Sequence, residues 1–479
     1  MNSSDQFKKY TDKVCEQIRW KNAHNMVSKE IENHLIDQKN AYMDMGDSES
    51  TAEEKALLQM GDPVSVGAAL DETHKPAPQK GMIALVMVLF FLGFIIQYRL
   101  TSGSVLEVKS GSIPYQFAMF GVALLVFIGA YFLDFSIIRN HPHLLFVLLF
   151  GMDLWMQFFG TTAYGQSWFI FGPFSMSPAS LSLLFPLAFC GMFYKLREKG
   201  KNGYFRSGVI AALFCSLLLT SHTVGGLFVF VCSAGILMAV AAWKKWFGDK
   251  TKPVLLFFIL AGILGIGMVL LAEPYRLARL TYILHPDADP TGSGYVPTLL
   301  RGMLENAVFF GEGDPFIPNS AFLDKNILFQ PDDAALYLPY FSVRTDYLLA
   351  YLTYEYGWIV FITLAGLLAV FLIFGFRKCL KQKSVLGQMV SLSILCTFAA
   401  ETLLYIIANL GVTYFAPIAL PFLSYGGTAL VIHMALAGIL LSTFRTGEVY
   451  QDNIKPKLSD SEFIQWDNGK LIISFRSLQ

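Results

Sequence analysis

Charge is scarce in this sequence, and cysteine is scarcer. Charged residues make up 15% of 479 positions, with Lys+Arg 36 and Asp+Glu 36 cancelling to a formal net charge of zero. A soluble domain carries about 25% charge, and a nucleic-acid binder shows a basic field that is missing here. The six cysteines, Cys15, Cys190, Cys215, Cys232, Cys379 and Cys396, form no CxxC pair, and none lies in a segment expected outside the cell. That spacing excludes a disulfide framework and a cysteine metal centre. The first 78 residues are polar, so no cleaved signal peptide is expected. Apolar residues are what the chain has in abundance, at 54%, with a mean hydropathy of +0.49. This is the composition of a membrane protein.

Residues 1–78 read as a separate cytosolic helical domain. Cys15, Ile18, Ala23, Met26, Val27, Ile31 and Leu35 recur at helical spacing. Thr51-Ala52-Glu53-Glu54 reads as a capping box, Gly61 as a helix stop, and Asp62-Pro63 as the next cap and first turn. A solvated helical unit for regulation or assembly suits this composition better than a catalytic one. Pro76, Pro78 and Lys80 make the linker.

From 79 to 445 the chain reads as an all-α polytopic membrane domain of ten transmembrane helices. Apolar runs long enough to cross a ~30 Å hydrocarbon core lie near 81–98, 116–134, 143–160, 179–194, 207–220, 224–242, 254–272, 346–376, 387–408 and 426–444. Basic residues fill three connections: Lys195 to Arg206, Lys244 to Lys252, and Arg377 to Lys383. An excess of Lys and Arg marks the cytoplasmic side. Both termini are therefore expected in the cytosol, and the long loop 273–345 between helices 7 and 8 outside. Short or re-entrant helices are expected near 297–325. Residues 446–479 form a cytosolic tail, with a short strand expected over Lys470 to Phe475.

That outer loop is far longer than packing requires, and such loops are usually functional or disordered. It closes on Leu338-Pro339-Tyr340-Phe341-Ser342-Val343-Arg344-Thr345-Asp346-Tyr347, which puts an acid at the head of a membrane helix. A carboxylate there is costly unless something uses it, although a helix dipole alone also favours an acid at that position. Glu355 is nine residues on, half a turn out of phase with Asp346 on a straight helix. Glu355, Asp153 and Glu401 are expected to find partners inside the bundle.

Three stretches carry a family resemblance. The first is Tyr275-Arg276-Leu277-Ala278-Arg279-Leu280, followed by His285-Pro286-Asp287-Ala288-Asp289-Pro290 and Gly292-Ser293-Gly294-Tyr295. The second is Leu338-Pro339 with Arg344-Thr345-Asp346-Tyr347-Leu348-Leu349-Ala350 and Glu355-Tyr356-Gly357. The third is Leu420-Pro421-Phe422-Leu423-Ser424-Tyr425-Gly426-Gly427. In this order, over about 81–445, they resemble the SEDS family of bacterial cell-wall proteins (shape, elongation, division and sporulation), of which RodA and FtsW are members. The resemblance implies a peptidoglycan glycosyltransferase of the bacterial cytoplasmic membrane. Such an enzyme polymerises glycan strands from lipid II, with inversion, beside a class B penicillin-binding protein.

That reaction needs a base for the attacking sugar hydroxyl and cations for the departing diphosphate. Asp346 is then the candidate base. Arg276 and Arg279, spaced i,i+3, and Arg344 are candidates for the diphosphate, although the first two also suit an interfacial snorkelling role and Arg344, two residues from Asp346, also suits a simple pair with it. Tyr295, Ser424 and Tyr425 join them as substrate-side candidates by motif, and Ser424 to Gly427 also suits packing at the end of the last helix. No dedicated metal site is evident, but two acids near a diphosphate could share a divalent cation with the substrate. The backbone of a polar loop at membrane depth must be shielded or line a wet cavity. An outward-facing cavity near Asp346 with a lateral opening for the lipid tail is therefore expected.

The departures from the family pattern cluster. Ser167, Ser177, Ser180 and Leu183 stand where it has Arg, Gln, Glu and Lys; Thr223 replaces an Asp, and Val296 a Gln. A fold tolerates loss of both partners of an ion pair better than loss of one. Two other readings stay open: a lipid-linked-sugar flippase working through Asp153, Glu355 and Glu401, and a non-catalytic scaffold recruiting a penicillin-binding protein.

Overall fold

The structure, a computed structural model, describes residues 3–74, 78–102, 112–163, 166–171, 174–271, 282, 285–289, 294–314, 344–412, 418–447, 464–467 and 470–473. It divides into two compact units. One is Met1–Gln79 with the short segments Gln382–Gly387 and Phe444–Asn453; the other is the rest of the chain.

The first unit carries α1 (Ser3–Glu16), α2 (His24–Asp44), α3 (Glu49–Met60) and α4 (Pro63–His74). Phe7, Tyr10, Val14 and Ile18 from the first helix and its exit pack with Val27, Ile31 and Leu35 of α2 around one apolar core. The three- and four-residue spacing puts each set on one helix face. Val14 is in that core, whereas Cys15 is only half-buried. The helix start expected at Thr51 lies three residues earlier: Ser48 caps α3, its Oγ accepting from the Thr51 N–H at 3.4 Å. Both residues fit a capping signature, and Ser48 has the extended backbone that a cap requires. Gly61, at φ 82°, ends α3, and Asp62 caps α4 by accepting from the Ser65 N–H at 3.0 Å. The Arg19 guanidinium clips Asp71 of α4 at 2.7 Å.

In the second unit come α5 (Lys80–Ser102), α6 (Ser112–Phe132), α7 (Ile137–Asn140) and α8 (Pro142–Phe159), followed by strands β1 (Thr161–Ala163), β2 (Gln166–Phe171) and β3 (Phe174–Met176). Then follow α9 (Pro178–Ser182), α10 (Phe185–Leu196), α11 (Gly200–Thr220), α12 (Val224–Trp243) and α13 (Lys252–Leu271). After these lie α14 (Tyr295–Glu305), α15 (Leu348–Tyr356), α16 (Trp358–Lys381), α17 (Val385–Asn409) and α18 (Gly427–Thr446). Strands β4 (Ile464–Asp467) and β5 (Lys470–Ile473) pair antiparallel near the C-terminus.

Among the described residues, eight segments are long and apolar enough to cross a bilayer: 80–102, 113–132, 142–159, 178–220, 224–243, 358–381, 385–409 and 427–446. The fold is an all-α polytopic membrane fold. The segment 178–220 covers two of the expected spans as three successive helices.

Two features depart from the expected pattern. The stretch 161–176 forms a three-stranded antiparallel meander, with Trp168 opposite Thr161 and Phe169 opposite Met176. Thr428 of α18 donates to the Ser175 carbonyl and ties the meander to the bundle. The eighth span, expected as one helix over 346–376, is broken. Gly357, at φ 93°, ends α15, and the loop before Asp314 pairs its backbone with the break. The Gly311 N–H bonds the Tyr356 carbonyl at 3.2 Å, and the Trp358 N–H bonds the Val308 carbonyl at 3.0 Å. The crossing helix therefore starts at Trp358, and Asp346 sits outside it, in the turn that leads into α15.

Candidate active site

The turn carrying Asp346 is held from α17. That helix carries a polar stripe, Ser393, Thr397, Glu401, Tyr405 and Asn409, every member of which is buried. A four-residue spacing keeps such a stripe on one face. Its last two members grip the turn by its backbone. The Tyr405 hydroxyl donates to the Thr345 carbonyl at 2.7 Å and accepts from the Leu348 N–H at 3.0 Å. Asn409 Nδ2 donates to the Asp346 carbonyl at 2.9 Å, and its Oδ1 accepts from the Ala350 N–H at 2.9 Å. The first N–H groups of a helix have no partner within it. Tyr405 and Asn409 therefore cap α15 and fix the backbone of the Thr345-Asp346 turn with the same two side chains.

A second clamp comes from the turn before α18. Ser424 Oγ donates to the Thr345 carbonyl at 2.9 Å and accepts from the Leu420 N–H at 2.8 Å. The Tyr425 N–H donates to the Arg344 carbonyl at 2.9 Å. Phe422 in this turn sits in the left-handed region at φ 68°. Gly93 of α5 packs directly on it, since a Cβ there would run into the Phe422 carbonyl oxygen.

Arg344 is only 2% exposed. Its Nε donates to Gln97 Oε1 and its Nη2 to Gln116 Oε1, both at 3.3 Å. The guanidinium lies 4.0 Å from the centre of the Tyr425 ring, a cation–π geometry. Gln97 Nε2 bonds the Leu423 carbonyl at 3.0 Å, and Thr101 Oγ1 bonds Gln116 Oε1 at 3.1 Å. Arg344, expected either at the diphosphate or paired with Asp346, has its guanidinium turned inward, where it joins α5 and α6 to the 344 and 425 segments. Ser424 spends its hydroxyl on the clamp, and Tyr425 contributes its backbone N–H and its ring face.

The Asp346 side chain is half-buried between these clamps. Burial penalises its charged form and raises its pKa to about 6, against an opposing hydrogen bond from the Thr345 side chain. A carboxyl so tuned is ionised at neutral pH and more basic than an exposed one, which suits general-base work.

Of the other predicted site residues, Arg276 and Arg279 lie outside the described residues. Tyr295 opens α14, and Glu355 is half-buried in the last turn of α15. Asp153 and Glu401 are buried within the bundle. Asp153 Oδ2 accepts from Ser221 Oγ at 2.6 Å and Gln157 Nε2 at 2.7 Å. Glu401 pairs with His433 of α18, both carboxylate oxygens 3.0 Å from Nε2. The structure thus gathers Arg344, Asp346, Ser424 and Tyr425, and adds Tyr405, Asn409, Gln97 and Gln116, which motif reading passed over. Among the described residues no group of three or more His, Cys, Asp or Glu side chains could hold a metal ion.

Four of the six departing positions, Ser177, Ser180, Leu183 and Thr223, lie around α9 and the start of α12. Ser177 caps α9, its Oγ accepting from the Ser180 N–H at 3.1 Å. Leu183 and Thr223 are buried, and a Cβ on Gly226 would meet both Ser182 and Thr223. Charges at this junction would be desolvated, so their joint absence leaves none stranded.

Fold and site define a polytopic helical membrane protein with an acid held by backbone clamps beside the bundle. The family model FTSW_RODA_SPOVE, described as cell cycle protein, matches residues 79–312 and 334–447. The chain belongs to this family, the SEDS proteins. It is 28% identical over 392 residues to stage V sporulation protein E of Bacillus subtilis, covering 78% of this chain and 98% of that one. It is 29% identical over 318 residues to a probable peptidoglycan glycosyltransferase FtsW of Pseudoalteromonas translucida, covering 63% of this chain and 72% of that one. Among solved structures, a chain of a peptidoglycan synthase complex superimposes with a TM-score of 0.60 at 20% identity, over 78% of this chain and 99% of its own. RodA of Thermus thermophilus does so with a TM-score of 0.52 at 18% identity, over the same shares. These two likenesses show the fold.

Proposed function

We propose that this chain is a peptidoglycan glycosyltransferase that extends glycan strands from lipid II, with Asp346 as its base. The observation that carries the reading is the Asp346 turn: a half-buried carboxyl with a pKa near 6, its backbone fixed from α17 and from the Ser424 turn. In the reaction Asp346 takes the proton of the acceptor sugar hydroxyl as its oxygen attacks the anomeric carbon of the donor. The carbon–oxygen bond to the diphosphate breaks with inversion, and the polyprenyl diphosphate leaves with the electron pair. Arg276 and Arg279 are assigned to that developing charge. Relatives named as peptidoglycan glycosyltransferases support the activity.

Three basic connections support placing both termini in the cytosol and Asp346 on the outer side of a bacterial cytoplasmic membrane. A class B penicillin-binding protein is the partner we assign, by analogy with the synthase complex that shares the fold. The flippase reading leans on intramembrane acids, and here Asp153 and Glu401 are engaged by Ser221, Gln157 and His433.

The test is the purified chain in liposomes with labelled lipid II, alone and with the partner. Muramidase-sensitive polymer is expected. Transfer of intact lipid II between leaflets without polymer would favour the flippase, and neither product would favour the scaffold.

A further inference from the structure

Beside the Asp346 turn, on the other side of α5 from Gln97, lies a cavity of about 330 Å³. Leu92, Ile95 and Ile96 of α5 form one wall; Leu352 of α15 with Ile359 and Val360 of α16 form the other. The two walls are apolar almost throughout, and the lining also includes Arg99 and Tyr356. Arg99 is exposed, lies in the last turn of α5, and has no hydrogen-bond or ion-pair partner among the described residues. Two residues before it, Gln97 holds the Arg344 and Leu423 carbonyls. Leu352 follows Asp346 by six positions. The basic end of the cavity is therefore at the level of the reacting turn.

We propose that this groove seats the polyprenyl tail of a lipid-linked diphosphate, with the Arg99 guanidinium on the phosphate. The choice of lipid rests on the glycosyltransferase reading; the choice of a single chain rests on size and charge. A helix about 10 Å across and three turns long displaces on the order of 1,200 Å³, several times the space present. At about 30 Å³ for each water-sized group, the cavity takes on the order of ten methylene-sized groups. That is a stretch of one hydrocarbon chain, where a phospholipid would bring two. Guanidinium recognises phosphate oxygens in bidentate fashion, and an apolar slot with one polar end is how ligand sites fix orientation.

The experiment uses the full chain in uncharged phosphatidylcholine nanodiscs and a polyprenyl diphosphate whose tail carries a photoreactive diazirine. Labelling is expected on residues 92–100 and 352–364, with competition by unlabelled polyprenyl diphosphate and not by phosphatidylglycerol at the same mole fraction. Arg99→Gln, at an exposed position, is expected to fold and to lower labelling about tenfold, the factor for a charged hydrogen bond. Leu352→Trp is expected to abolish labelling; should it misfold, Arg99→Gln decides.

Label elsewhere, equal competition by phosphatidylglycerol, displacement by a transmembrane peptide, or an unchanged Arg99→Gln each overturns the proposal. Labelling needs no turnover. A labelled groove in a protein that makes no polymer counts against the transferase reading alone. Polymer from a protein whose groove stays unlabelled counts against the groove alone.

Discussion

Thr345→Val should move the acid limb of the pH–rate profile to higher pH. The native base has a pKa of about 6, raised by burial and held back by the Thr345 hydroxyl. Only the ionised form accepts a proton, so the native rate should level off above neutrality and fall about tenfold by pH 5, one unit below the pKa. Valine keeps the shape of threonine and removes the donor to the carboxylate. A hydrogen bond to a charged group is worth about 1.5–3 kcal/mol, and each pKa unit corresponds to about 1.4 kcal/mol. Losing a bond that favours the charged form therefore raises the pKa by about one to two units. The variant's limb should centre near pH 7–8, with the rate above it little changed. Initial polymerisation rates from pH 4.5 to 9, in detergent with saturating lipid II, measure this. A limb that stays in place, or a flat native profile over pH 4.5–7, would refute Asp346 as the titrating base.

Further outcomes follow from the same geometry. Because the folded-state pKa of Asp346 lies above its unfolded value, its burial disfavours folding once the group ionises, and stability should fall between about pH 4 and 6. Asp346→Asn should accordingly melt higher than the native chain at pH 8, by on the order of 1–3 kcal/mol, and equally with it at pH 4. Asn409→Leu strands the Ala350 N–H and the Asp346 carbonyl; kcat should drop by about a hundredfold with KM little moved, since small misplacement costs that much. Glu401→Leu alone leaves His433 unpaired in the core and should destabilise by about 3–5 kcal/mol, while Glu401→Leu with His433→Leu recovers much of it; detergent melts report both. Gly357→Ala forces a side chain into a left-handed position against the Phe309 carbonyl and should cost about 2 kcal/mol or more.

Local chemistry made much of this molecule readable. Apolar run length located the bundle helices, and Gly61-Asp62-Pro63 marked a stop, a cap and a restart that the structure places at the α3–α4 junction. What escaped depends on partners distant in sequence. Gly357 sits in an apolar run that looks continuous, and its break is made by backbone from residues 308–311, about fifty positions earlier. The 161–176 meander lies in a short apolar stretch where period alone does not separate strand from helix. Tyr405 and Asn409 contact a turn some sixty residues upstream. Their signal was present all the same: polar residues at every fourth position from Ser393 to Asn409 in a largely apolar helix. Arg344 was singled out by its place two residues from an acid, and the partners that bury it, Gln97 and Gln116, lie more than two hundred positions away in sequence.

The most direct test compares the native chain with Asp346→Asn, both shown folded by the same size-exclusion profile, for glycan-strand synthesis from labelled lipid II at pH 8. Long polymer from the native protein and a loss of at least about a thousandfold in the variant is the expected result, the upper part of the range seen when a positioned acid–base group is removed. Native-like polymer from Asp346→Asn would contradict the assignment of this turn as the catalytic centre.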